Sequence, residues 1–173
     1  MIHVLEKHIA DKIAAGEVID RPVSIIKELL ENSIDAGADQ ITVEIRNGGK
    51  SYIRVTDNGC GIEAGDMETA FLRHATSKIS SVQDLDAIGT LGFRGEALAS
   101  ICAVARVELI SKTADAKMGR RVVTEGSEIL ANEGIGCPEG TTVTVQDLFY
   151  NVPARQKFLS SDNGESRRII DMV

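Results

Sequence analysis

An acid at the end of a strand, followed at once by glycines, lets backbone and a carboxylate approach a flat ligand together, and Asp57-Asn58-Gly59-Cys60-Gly61-Ile62 has that form. Asp57 could accept a hydrogen bond from the exocyclic amine of adenine; an Asx-type turn is the plainer alternative. Gly89-Thr90-Leu91-Gly92-Phe93-Arg94-Gly95-Glu96-Ala97-Leu98 spaces its glycines evenly ahead of a helix-forming run from Glu96 to Val104. Free amides and the positive dipole end at such a junction favour an anion, although a flexible connection would use the same glycines. Lys78, within Arg73-His74-Ala75-Thr76-Ser77-Lys78-Ile79, is a candidate phosphate contact or a solvated cation. Glu28 and Asn32 lie four residues apart, so on a helix an acid and an amide reach one point in space, with Asp35 a turn further on. A solvated helix face explains that trio equally well.

The elements that must carry these groups follow from periodicity. Between Pro22 and Gly37, Val23, Ile25, Ile26, Leu29, Leu30 and Ile34 share one arc, opposite Ser24, Glu28, Glu31, Asn32 and Asp35, which predicts an amphipathic helix. Pro22 suits its first turn and Gly37 the left-handed position just past its end. Before it, Ile9 to Ile19 reads as an apolar arm with a brief helix capped by Asp11, packed on its own domain or exchanged with a second subunit. Ile41-Thr42-Val43-Glu44-Ile45 and Tyr52-Ile53-Arg54-Val55, joined by Asn47-Gly48-Gly49-Lys50, read as a hairpin. A helical stretch is expected from Glu63 to Phe71, and Ser81-Val82-Gln83-Asp84 resembles a capping box. Short β-rich runs follow at Val107–Ile110, Arg121–Thr124, Ser127–Leu130 and Thr141–Val145, the last opened by Gly140-Thr141-Thr142, whose hydroxyls face a ligand or solvent. Pro153 ends the sheet. Ser166 to Val173 has helical spacing with no cap after it, as if the sequence were cut inside a helix.

Composition sets the frame. With 173 residues, 43% of them hydrophobic and 26% charged, one globular domain is expected. No apolar run approaches the ~20 residues of a membrane span, and the N-terminal residues lack a basic segment followed by an apolar core, so secretion is not expected. Cys60, Cys102 and Cys137 give neither a disulfide framework nor a zinc pattern, which points to a reducing compartment. A net charge of -7 argues against a strong nucleic-acid surface on this piece alone. A dinucleotide fingerprint fails because Ala64 stands where its third glycine belongs, and no Gly-Lys-Ser/Thr follows the later glycines to make a P-loop.

Ile13-Ala14-Ala15-Gly16-Glu17-Val18-Ile19, Lys27 to Gly37, Asp57 to Ile62, His74 to Ile79, Gly92 to Leu98 and Pro153-Ala154-Arg155, taken in order, closely resemble the DNA mismatch-repair MutL family across essentially the whole chain. Several of these motifs also belong to the wider GHKL superfamily of gyrase-type topoisomerases, histidine kinases and heat-shock chaperones. Ala75 to Ile79 and Gly92 to Leu98 are the words particular to MutL.

The resemblance implies an α+β domain over residues 1–173, a two-layer α/β sandwich of the Bergerat type with helices over a mixed, mostly antiparallel sheet. It further implies that ATP binds with Mg²⁺, that Glu28 is the general base activating water, and that Asn32 is the protein's ligand to the metal. Asp57 would read adenine, with Gly61 and Thr142 beside it. Thr76, Ser77 and Lys78 would join the loop of Gly92, Phe93, Arg94, Gly95, Glu96, Ala97 and Leu98 as a lid over the phosphates. A slow ATPase is expected whose nucleotide closes a homodimer clamp and engages mismatch-sensor and downstream repair proteins in a bacterial cytosol or nucleoid. In the family a second subdomain supplies a lysine to the γ-phosphate, so this piece is expected to turn over poorly and to be mostly monomeric without nucleotide. Weak DNA contact would come with the dimer; Arg155, Lys157, Arg167 and Arg168 gather near the C-terminal end, where a solvated face is the alternative. An adaptor with incidental hydrolysis is the other functional reading. A histidine-kinase role fits poorly with a water-activating acid one turn before Asn32, and the MutL-specific words disfavour a topoisomerase or chaperone ATPase.

Overall fold

The computed structural model describes residues 2–72 and 97–173. Helix α1 (Lys7–Val18) begins a turn earlier than the sequence suggested. Its cap position falls to Glu6, whose carbonyl accepts from Ile9 and Ala10, so Asp11 lies inside the helix and does not cap it. Helix α2 (Pro22–Asp35) starts at the expected proline. Its end is closed by two backbone bonds, Ala38 N–H to the Ser33 carbonyl at 3.1 Å and Gly37 N–H to the Ile34 carbonyl at 2.9 Å. Gly37 takes φ +75°, the left-handed residue this closure needs. The buried face of α2 is Pro22, Ile25, Ile26, Leu29 and Ser33. Ile34, placed by the sequence on the same arc, is 55% exposed because it stands about 100° round the helix from Ser33, at the edge of the stripe.

Strands β1 (Ile41–Arg46) and β2 (Tyr52–Asp57) form the expected hairpin over a 3₁₀ turn at Asn47–Gly49. The helix expected from Glu63 to Phe71 is instead two 3₁₀ turns, Ala64–Asp66 and Thr69–Phe71. Gly65, Asp66 and Thr69 are weak helix formers, and the buried Met67 and Phe71 pin the segment to the core without a continuous helix. Helix α3 (Ala97–Val104) is followed by β3 (Arg106–Lys112), β4 (Gly119–Glu125), β5 (Glu128–Ile135) and β6 (Gly140–Gln146). Helices α4 (Pro153–Phe158) and α5 (Asp162–Met172) close the chain, α4 starting at Pro153 and α5 capped by the Ser161 hydroxyl, which accepts from Gly164 N–H.

The strands lie in the order β1-β2-β6-β3-β4-β5, and every neighbouring pair among the described residues is antiparallel. β6 is therefore inserted between β2 and β3, which brings Thr141 directly opposite Asp57. Alternation divides the sheet. Ile53 and Val55, Val107 and Leu109, Val122, and Val143 and Val145 point to the helix layer and join Ile25, Ile26, Leu29, Ile101 and Phe149 in one core. Each such side chain contributes about 1.5–3 kcal/mol on burial. The opposite face carries Tyr52, Arg54, Arg106, Glu108, Thr142 and Thr144 around a shallow groove. The result is a two-layer α/β sandwich.

Candidate functional site

The chemistry-bearing residues converge where the C-terminal end of α2 meets the ends of β2 and β6. Asp57 is the last residue of β2, on the same side of the strand as Ile53 and Val55, so its carboxylate turns toward the helix layer. There Ser33, 3% exposed in the apolar stripe of α2, donates its hydroxyl to Asp57 Oδ2 at 2.7 Å. Gly59 N–H donates to Oδ1 at 2.9 Å. Each carboxylate oxygen has a further lone pair, so the fixed carboxylate can still accept from a ligand.

The loop after Asp57 is tied down at several points. Cys60 N–H donates to the Ala36 carbonyl at 3.0 Å, which anchors it to the end of α2. The Asn58 side chain accepts from the N–H groups of Asp39 and Gln40, both at 3.1 Å, and donates to Asp39 Oδ1 at 2.6 Å. Gly61 takes φ +75°, and a Cβ there would run into the Lys112 carbonyl, so only glycine lets this loop lie against the end of β3. Gly140, at φ +120°, is held by the same logic against the Asp57 carbonyl. Behind both lies Ser111, 1% exposed: its Oγ accepts from Ile62 N–H at 2.8 Å, donates to the Gly140 carbonyl at 2.9 Å, and lies 2.8 Å from Thr141 Oγ1.

The structure thus brings Asp57, Gly61 and the start of β6 together, with α2 above them carrying Glu28 and Asn32, both half-buried, on the flank beside Ser33. Glu28 and Asn32 offer a carboxylate and an amide oxygen, hard donors of the kind a magnesium ion takes. Ala97 and Leu98 are the first residues of α3 and are half-buried. Thr76, Ser77, Lys78, Gly92, Phe93, Arg94, Gly95 and Glu96 lie outside the described residues, as does the 81–84 capping box.

Thr142 does not join the group. It pairs with Thr56 across the strands, donates to Thr56 Oγ1 at 3.3 Å, and lines the groove on the far face of the sheet. Thr141, one residue earlier, is the threonine that shares a face with Asp57. Ser33 and Ser111 go unmarked in the sequence, and Thr141 is offered there only together with Thr142; two of the three carried a signal. Ser33 interrupts an apolar stripe, and Thr141 has the parity of the core residues Val143 and Val145. At the C-terminal end, the Arg155 guanidinium lies against Gly16 of α1, while Lys157, Arg167 and Arg168 are exposed. The cysteines are free thiols, Cys60 exposed, Cys102 buried and Cys137 half-buried. Among the described residues no helix is long and apolar enough to cross a membrane.

Comparison with known proteins agrees with this fold. Residues 21–134 match the family described as histidine kinase-, DNA gyrase B-, and HSP90-like ATPase. The DNA mismatch repair protein MutL of Agathobacter rectalis is 61% identical over 172 residues, covering 99% of this chain and 26% of that protein. That of Porphyromonas gingivalis is 53% identical over 170 residues, covering 98% and 28%. The chain thus spans roughly a quarter of the length of these relatives. Among solved structures, the Aquifex aeolicus MutL ATPase domain complexed with ADP superposes with a TM-score of 0.71 at 37% identity, covering 90% of this chain and 54% of that one. The N-terminal domain of a DNA repair protein gives 0.77 at 31%, covering 94% and 46%. The chain belongs to the histidine kinase-, gyrase B- and HSP90-like ATPases, and within them to the MutL mismatch-repair family as its ATPase region.

Proposed function

We propose that the chain is a single ATP-binding domain that hydrolyses ATP slowly with Mg²⁺, and that its nucleotide state drives homodimerisation as a clamp linking mismatch recognition to later repair steps. The observation that carries this reading is the Asp57 carboxylate, fixed by Ser33 and Gly59 at the mouth of a glycine loop on the inner face of the sheet. Such an acceptor suits the exocyclic amine of adenine, and the loop at Gly61 lies close beside it against the end of β3. Thr141, rather than Thr142, stands beside it.

Glu28 and Asn32, on α2 beside this pocket, would be the residues that meet the phosphates. Asn32 would hold the metal through its amide oxygen, the remaining ligands coming from phosphate oxygens and water. When bound, Mg²⁺ neutralises charge developing on the transferred phosphoryl group. Glu28 takes the proton of the attacking water. By family resemblance, Thr76 to Lys78 and Gly92 to Leu98 would act as a lid over the phosphates. Mismatch-sensor and downstream repair proteins are the partners, DNA is bound weakly and mainly by the dimer, and the setting is a bacterial cytosol or nucleoid. Support for these finer assignments is the family membership together with the placement of Glu28, Asn32 and Asp57.

A general base contributes about 10² to 10⁴ in rate. Glu28→Ala should therefore lose hydrolysis by that factor while equilibrium titration shows ATP affinity within about twofold of the parent. Equal turnover by parent and variant would remove Glu28 from the role.

A further inference from the structure

The hydrogen bonds around Ser111 fix which way a neighbouring proton points. A serine hydroxyl has one proton and two lone pairs. Ile62 N–H can only donate, so it occupies one lone pair of Ser111 Oγ. The Gly140 carbonyl can only accept, so it takes the one proton. The contact to Thr141 Oγ1 at 2.8 Å is then a hydrogen bond only if Thr141 donates into the second lone pair. All three contacts are satisfied by this arrangement alone. Ser111 is 1% exposed, so no solvent competes for these positions.

The consequence falls on the ligand side. With its proton committed to Ser111, the Thr141 hydroxyl presents only lone pairs elsewhere. Thr141 sits across the strands from Asp57, a separation of roughly 4.5–5.5 Å between Cβ atoms in such pairs. The carboxylate is also acceptor-only, with its orientation set by Ser33 and Gly59. The edge made by these two residues therefore offers acceptors and no donor.

We infer that Ser111 is a specificity-determining residue acting through Thr141: by holding the threonine proton away from the pocket it makes the base-reading edge acceptor-only, favouring a purine with an amino group at position 6 over one with a carbonyl. This rests on the proposed adenine pocket. Ser111 touches no ligand itself and is a positioning residue.

The test is to measure binding of ATP and ITP to the full chain by calorimetry; ITP carries a carbonyl in place of the 6-amino group and an N–H in place of the bare N1. A lost or misdirected hydrogen bond of ordinary strength changes affinity about tenfold. The parent should prefer ATP, and Ser111→Ala should lower the ATP-to-ITP affinity ratio about tenfold, mainly through weaker ATP binding, because Thr141 is then free to turn its proton into the pocket. Ser111→Thr, which keeps the hydroxyl, should retain the preference. Thr141→Val should lower the ratio on its own, and adding Ser111→Ala to it should change the ratio no further. The Thr141→Val arm stands even if Ser111→Ala folds poorly. A ratio unchanged in Ser111→Ala or in Thr141→Val, including equal weakening of both nucleotides, would overturn the inference. A parent chain that binds neither nucleotide would overturn the adenine pocket itself, so the two failures are distinguishable.

Discussion

Asp57 shows what a single residue contributes here. A carboxylate left loose at a strand end would average over many orientations. Bonded to Ser33 and Gly59, it keeps one, and the free lone pairs are aimed before any ligand arrives. The adjacent cysteine offers a probe of the same place. Cys60 is exposed beside Gly61, whereas Cys102 is buried and burial pushes its thiol pKa up against the smaller opposing bonds from Ser127 and Thr124, so its reactive thiolate is scarce. Iodoacetamide should label Cys60 first, ATP should slow that labelling severalfold, and Cys102 should resist until the chain unfolds. Mass spectrometry showing Cys102 labelled as fast as Cys60 in the folded chain would contradict the packing described. The single-residue detail was the least legible part of the sequence. Thr141 and Thr142 have the same side chain, so composition could not choose between them; only the parity of Val143 and Val145 relative to Asp57 does so. Ser33 looked like one more polar helix residue until its place in the apolar stripe was set against Asp57, far away in sequence.

At the scale of elements the sequence was more informative. The amphipathic stripe of α2, its proline start and glycine end, the β1–β2 hairpin and the four later strands all follow from period and punctuation, which are local properties. What failed was decided by tertiary contact. Glu63 to Phe71 has mixed propensity, and burial of Met67 and Phe71 settles it as 3₁₀ turns; α1 extends past Asp11 toward the N-terminus. Another long-range joint links α5 to the hairpin. Asp162, in the first turn of α5, accepts from Asn47 Nδ2 at 3.2 Å and pairs with Lys50 Nζ at 3.1 Å. These partners, Asn47 foremost and then Lys50, hold its carboxyl below the ordinary carboxylate range. A depressed folded pKa stabilises the fold above the unfolded value, about 3.9, and that stabilisation is lost as pH falls through the folded value. Replacing Asp162 by Asn should therefore lower Tm at neutral pH, with the gap from the parent closing as pH drops below about 4. A gap that stays constant with pH would show that the ion pair contributes nothing.

For the molecule as a whole, the order of strands matters more than any one of them. Because β6 enters between β2 and β3, residues about half the chain apart meet at one end of the sheet, and α2 closes that end from above. Sequence pattern predicted the strands but could not order them, since each is short and apolar on one side. The resemblance to a known family supplied the layered architecture instead. If nucleotide closes a clamp, light scattering should report dimers with a non-hydrolysable ATP analogue and monomers with ADP at the same protein concentration. An unchanged mass in both would set the clamp aside while leaving nucleotide binding intact.

That binding, through Asp57, is the claim on which the rest stands, and calorimetric titration of Mg-ATP into the parent and Asp57→Asn tests it most directly. The amide can retain a bond to Ser33 and an oxygen for Gly59, but it turns a donor toward the adenine amine. The account predicts saturable binding by the parent and at least about tenfold weaker binding by a folded Asp57→Asn; equal affinity in the two proteins would contradict it.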